Sequence, residues 1–134
     1  MTIKEKKEFL NSYKLINSEI NRLLAECESY RELAKRISPT YSDAPKTLNN
    51  TSKLETAVEK IIELEHEMDK KVDQLQKKRE EIEQAIQTVK NPTLEEVLKR
   101  KYINGQTWEQ IAVDMNYSWR QTIRLHGKAL EKMS

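Results

Sequence analysis

Three cationic side chains, Arg120, Arg124 and Lys128, follow one another at four-residue steps near the end of a 134-residue chain. On a helix that spacing places them along one side. Trp119 and Ile123 share the side, and Gln121 points obliquely from it. An arginine can hold guanine O6 and N7 with two bonds, and a glutamine can do the same for adenine. An exposed apolar group can meet a thymine methyl. Lys128, two turns beyond Arg120, suits a phosphate, as does Lys132. Thr107 with the free amides of a helix start offers an anion site. These residue types fit double-stranded DNA, with an ordinary solvated helix face as the plainer alternative. Two placements stay open for Trp119, outward or folded over a neighbouring helix. Trp108 reads as core.

The elements that must position these side chains are marked by the residues around them. Thr93 and Glu96, Thr107 and Gln110, and Ser118 and Gln121 are each a hydroxyl followed three residues later by Glu or Gln. That is the signature of a capping box, in which side chains satisfy the unpaired amides of a first helical turn. Asn104-Gly105 supplies a residue for positive φ after the first helix. Three short helices are predicted, about 94–103, 108–115 and 119–132. Asn116 occupies a turn position that favours positive φ, where Asn is the best substitute for Gly. A tight turn there crosses the last two helices steeply, as in a helix-turn-helix. Leu94, Val97, Leu98, Tyr102, Ile111, Ala112, Met115, Thr122, Leu125, Ala129 and Leu130 would close the small core.

Other chemistries find little support. His66 and His126 have no partners at metal-ligand spacing and are expected at the surface, so no metal is expected. The carboxylates of the middle of the chain are scattered among lysines and read as a solvated face, not an acid/base pair. Two isolated glycines cannot form a phosphate-cradling loop, and no cofactor is expected. No nucleophile is set beside a base, and no enzyme activity is expected. One cysteine cannot form an intrachain disulfide, which fits a cytoplasmic setting. No apolar run approaches the ~20 residues of a membrane span. The start, MTIKEKKEFL, is too charged for a signal peptide. With 2 Gly and 3 Pro, an all-β fold lacks its turns.

The first ninety residues carry a different pattern. Phe9, Tyr13, Ile16, Ile20, Leu23, Cys27, Tyr30, Ala34 and Ile37 alternate steps of four and three without Gly or Pro. That is a heptad seam, which should stop at Ser38 because Pro39 disfavours helix before it. A second seam is expected through Leu54, Val58, Ile61, Glu65, Met68, Val72, Leu75, Arg79, Ile82, Ile86 and Val89. Ser52 and Glu55 mark its start as a capping box, and Asn91-Pro92 ends it. Residues 38–52, rich in Pro and small polar residues, read as a loop.

Folded as an antiparallel hairpin, the seams bring Ala34 near Val58, Leu23 near Met68 and Phe9 near Ile82. Glu65 could then reach Arg31, and Arg79 would face Tyr13. These two polar residues either snorkel to solvent or fix register. Leu10, Leu24, Leu33, Ala57, Ile62 and Leu64 widen the stripe beyond what one hairpin buries, which points to a second copy packed as a four-helix bundle. The residues assigned to that association are Tyr13, Ile16, Ile20, Leu23, Leu24, Val58, Ile61, Ile62, Met68 and Val72.

The formal net charge is +2. Residues 91–134 hold seven basic and five acidic side chains, so the whole excess sits there and the first ninety are neutral. An excess this small does not by itself prove a nucleic-acid partner.

The run TWEQIAVDMNYSWRQTIRLHGKALEKM resembles region 4 of bacterial sigma factors. The Ile-Ala pair, the polar cap before the last helix and the closing Lys-Ala-Leu-x-Lys carry the likeness. KRKYINGQ before it resembles the Arg-Tyr-x-x-Gly lead-in, with Lys101 in the Arg position. Thr122 stands where an aliphatic residue is usual, Asn116 where Gly is commoner, and Trp119 is unusual in the first exposed turn. With the coiled-coil front half, the chain is similar to small phage and prophage regulators of the RinA/ArpU type. The resemblance implies sequence-specific DNA binding with the third helix in the major groove, and a contact to RNA polymerase.

The expectation is an all-α chain. Residues 1–90 form an oligomerising coiled-coil hairpin and residues 91–134 a DNA-binding helix-turn-helix. The protein would act as a homodimeric regulator that needs no membrane. Small terminase subunits, which join the same parts for DNA packaging, are the alternative, followed by a coiled-coil adaptor that binds protein.

Overall fold

The computed structural model describes residues 1–37 and 48–134, with side chains of the second segment described from Ser52. Five helices follow in order: α1, Ile3–Ile37; α2, Leu48–Gln87; α3, Pro92–Leu98; α4, Trp108–Met115; and α5, Trp119–Lys132. The fold is all-α, a long antiparallel α1–α2 hairpin followed by three short packed helices. Of the loop expected over 38–52, residues 38–47 lie outside the described residues, as does the expected stop at Ser38. From Leu48 the chain is already helical, so Ser52 is not a cap. Its carbonyl accepts the Thr56 hydroxyl at 2.9 Å inside α2.

The chain divides into two compact units, residues 18–73 and residues 1–17 with 74–134. In the first, Leu23, Cys27 and Leu64 are buried together, with Tyr30, Ile61 and Met68 packed against them. The α1 seam is as expected, every member being buried or half-buried. The α2 seam needs correction. Its inward residues are Leu54, Ala57, Ile61, Leu64, Met68 and Lys71, whereas Val58, Glu65 and Val72 are exposed. Both solutions share every seventh residue and differ in taking the third or the fourth position after it. The structure takes the third because Leu64 fills the hairpin level where Glu65 would bury a charge. Lys71 lays its stem inward and carries its ammonium to Glu19, which holds that carboxyl below its usual range. Glu65 is left at the edge, 3.0 Å from Arg31, as the sequence suggested. Glu28 lies 2.7 Å from the same guanidinium.

In the second unit the correction applies at one level only, and Ile82, Ile86 and Val89 are buried as expected. Lys78 faces the Phe9 ring at 5.5 Å, and Arg79 is exposed and paired with Glu83 at 3.0 Å. Its core joins the long and short helices. Leu10, Ile82, Ile86 and Val89 pack with Leu94, Leu98 and Tyr102, and with Ala129, Leu130 and Met133. Two polar ties fasten the end of α5. Lys6 Nζ, nearly buried, donates to the Leu130 carbonyl at 2.8 Å, and the Ser134 amide donates to Thr88 Oγ1 at 2.9 Å. An ammonium on a last-turn carbonyl satisfies an orphan acceptor and complements the helix dipole.

Candidate nucleic-acid interface

The chain turns from α2 into α3 through Lys90, at φ 56°, and Asn91. Asn91 Oδ1 accepts from the Thr93 and Leu94 amides at 3.1 and 3.2 Å, with Pro92 at the first helical position. The cap is therefore Asn91, not Thr93, because proline at the first position pre-sets the helix and puts the cap one residue before it. The helix expected over 94–103 is present, but its last turn, Lys99–Ile103, is π-helical, with the Asn104 amide bonded to the Lys99 carbonyl at 3.0 Å. Gly105, at φ +69°, then ends it.

Two buttresses start from that turn. Arg100 reaches Glu96 at 2.8 Å and, across to α4, Asp114 at 3.2 Å, while Gln106 also donates to Asp114 at 2.9 Å. Tyr102 points inward, and its hydroxyl lies 2.7 Å from His126 Nε2. The Trp108 ring meets the His126 imidazole edge-on at 4.6 Å, and Lys101 Nζ sits 4.6 Å from the Trp108 centroid. His126 is thus buried, not at the surface as expected. Its i−4 and i+3 neighbours on α5, Thr122 and Ala129, are both buried, so it lies on the inner side. Burial, with Lys7 and Lys101 nearby, lowers its pKa from 6.5 to about 4. Burial pushes the Tyr102 hydroxyl up to about 12.

The turn from α4 to α5 is built as the residues suggested. Thr107 Oγ1 accepts from the Gln110 amide at 3.2 Å, and Gln110 Oε1 accepts from the Thr107 amide at 2.9 Å. Asn116 takes φ 60°, ψ 41°. The Tyr117 amide returns to the Ala112 carbonyl at 2.9 Å and the Asn116 amide to Val113 at 3.3 Å, which is a Schellman motif. Ser118 and Gln121 form the second capping box, with bonds of 2.9 and 3.1 Å. Thr122, buried where an aliphatic residue is usual, donates its hydroxyl to the Ser118 carbonyl at 2.9 Å. Its polar atom is satisfied within the helix, so its methyl can serve the core.

The inner side of α5 is fixed by Thr122, His126, Ala129 and Leu130. On the outer side Arg120, Arg124 and Lys128 are exposed, and none makes a hydrogen bond or ion pair with another described residue. Trp119 is 55% exposed, which selects the outward of its two placements. Ile123 is half-buried, and Trp108 is half-buried against His126. Thr107, Ser118 and Gln121 are exposed but engaged in the caps, so the Gln121 carbonyl oxygen already accepts the Ser118 amide. Sequence reasoning placed Tyr102 in the core, where it is buried, but missed its His126 partner and the Arg100 buttress, because nothing local distinguishes a buried histidine from an exposed one.

The residues assigned to association fall into two groups. Leu23 is buried, and Tyr13, Ile16, Ile20, Ile61 and Met68 are half-buried. Leu24, Val58, Ile62 and Val72 are 43–50% exposed. Val58, Ile62 and Val72 share one side of α2 with Glu65. The Arg31–Glu65 pair places the α1 side containing Leu24, one heptad before Arg31, beside them. Among the described residues no group of histidine, cysteine and carboxylates could hold a metal, and no helix is long and apolar enough to cross a membrane.

A long antiparallel helical hairpin followed by three short packed helices defines the class. Residues 38–134 match the family DUF1492, described as a protein of unknown function, and the chain belongs to that family. No curated protein and no solved structure matches it.

Proposed function

We propose that this chain is a sequence-specific DNA-binding transcriptional regulator of a phage or prophage, with α4 and α5 as its helix-turn-helix and α5 in the major groove. One observation carries the reading. Helix α5 is locked on its inner side by core and capping bonds, while Arg120, Arg124 and Lys128 stand exposed on its outer side, unpaired among the described residues. A rigid helix with free forked donors near its start is what base-edge recognition requires. No catalytic step belongs to this reading.

Recognition by three or four side chains specifies only a short site. Two such helices held together engage cooperatively, because the second binds without a separate diffusional search. The exposed apolar stripe of Leu24, Val58, Ile62 and Val72 supports self-association through the long helices. The test is selection of bound fragments from random DNA, with stoichiometry by light scattering. A dimer on a site with two related half-sites is expected. Ring-sized assembly would favour DNA packaging, and failure to bind any DNA at low salt would refute the reading.

A further inference from the structure

The chain has two glycines, and only one is explained by its own fold. Gly105 ends the π-helical turn at φ +69°, a conformation that favours glycine. Gly127 lies inside α5 without positive φ, it is exposed, and a Cβ built on it meets nothing within 4 Å. Glycine in a helix interior is less favourable than alanine. The position therefore weakens α5, and neither the backbone nor the packing of this chain calls for it. Helical spacing sets Gly127 three residues after Arg124 and seven after Arg120, on the same outer side.

A residue that destabilises its own helix, has room for a side chain and borders two arginines unpaired among the described residues has its use outside the chain. We propose that Gly127 is the point where the DNA sugar-phosphate wall of the groove comes into van der Waals contact with α5. The missing Cβ lets the helix lie closer to the duplex, which sets the depth at which Arg120 and Arg124 meet base edges. Backbone approach to a ligand at glycine is a general use of that residue. This inference rests on α5 being the DNA-recognition helix. It adds a depth-setting residue that contributes no charge and no hydrogen bond.

The test compares full-length protein with Gly127→Ala and Gly127→Leu, on a fragment selected with the unmodified chain. Gly127→Ala should raise Tm by about 2–6 °C, since a helix-interior glycine is relieved. Both variants should bind the fragment more weakly. Gly127→Leu should lose at least about tenfold, the scale of one mismatched base pair, and Gly127→Ala less. The salt dependence should be unchanged, because no phosphate-neutralising charge is removed. Equal affinity of both variants would overturn the inference and leave the DNA-binding reading standing. A fall in Tm for Gly127→Ala would also overturn it, by showing that the glycine serves the fold. If the unmodified chain retains no fragment, the DNA-binding reading fails and the inference with it.

Discussion

Acidification below neutral pH should destabilise this protein through His126. The imidazole is 7% exposed, shares a 2.7 Å hydrogen bond with the Tyr102 hydroxyl and packs against Trp108. Burial is the main cause of its depressed pKa, and Lys7 and Lys101 add repulsion to the protonated form. The folded value of about 4 lies below the 6.5 of a free imidazole. In that window the unfolded chain binds the proton and the folded chain does not, so stability rises with pH. The contribution is fully present above the unfolded pKa and is lost as pH falls through the folded one. A gap of this size corresponds to at most about 3 kcal/mol. Discounted for partial solvent screening at the ring edge, about 2 kcal/mol is expected.

The assay is urea unfolding followed by circular dichroism from about pH 7 to about pH 4. The comparison protein is His126→Gln, which keeps a hydrogen-bonding side chain for Tyr102 and has no titratable group. Shared carboxylate effects cancel in the difference between the two proteins. The wild type should lose about 2 kcal/mol relative to His126→Gln across that window. A difference that stays constant with pH would refute the reasoning, since it would mean that His126 titrates alike folded and unfolded.

The other predictions concern the two surfaces. Arg120→Ala and Arg124→Ala should each cost about 1–3 kcal/mol of specific DNA binding and relax preference at one base position; unchanged specificity in both folded variants refutes base contact. Lys128→Ala should weaken binding evenly across sequences and reduce the salt slope by about one, whereas a loss confined to one base position would assign it to base reading. Val58→Lys combined with Val72→Lys should convert dimer to monomer by light scattering while circular dichroism stays unchanged, because both positions are exposed in the single chain. A dimer that survives this change places the association elsewhere.

The short helices were legible because their marks are local. Thr107 with Gln110 and Ser118 with Gln121 each satisfy a helix start within four residues, and Asn116 closes its turn by its own backbone conformation. Outward placement of Arg120, Arg124 and Lys128 follows from the same local period. What sits beneath them was less legible. The core takes Leu10, Ile82, Ile86 and Val89 from the long helices, and Lys6 finds its acceptor 124 residues away. Contacts at that separation leave no pattern in a single sequence. His126 shows the cost of this. It lies against Tyr102 and Trp108, which approach it from outside α5 and are 24 and 18 residues away in the chain.

The misassigned α2 seam has a physical cause that bears on function. Leu54, Ile61, Met68, Leu75 and Ile82 are common to two stripes, one continuing through the third residue after each and one through the fourth. Counting apolar residues does not separate them, because Val58, Val72 and Ile86 lie on the fourth and Ala57, Leu64 and Ala85 on the third. Hairpin packing favours the third, because Leu64 and Ala57 fit between helices and Lys71 and Lys78 can lay their stems inward while their charges reach outward. A helix that satisfied only its hairpin partner would have no reason to keep valine at 58 and 72 and isoleucine at 62, all facing water in the single chain. A merged apolar pattern too wide for one partner is what two successive packing events leave in a sequence. The first closes α1 on α2. The second, under the proposed self-association, closes one hairpin on another, with the exposed Arg31–Glu65 pair beside the apolar residues to fix how the copies align.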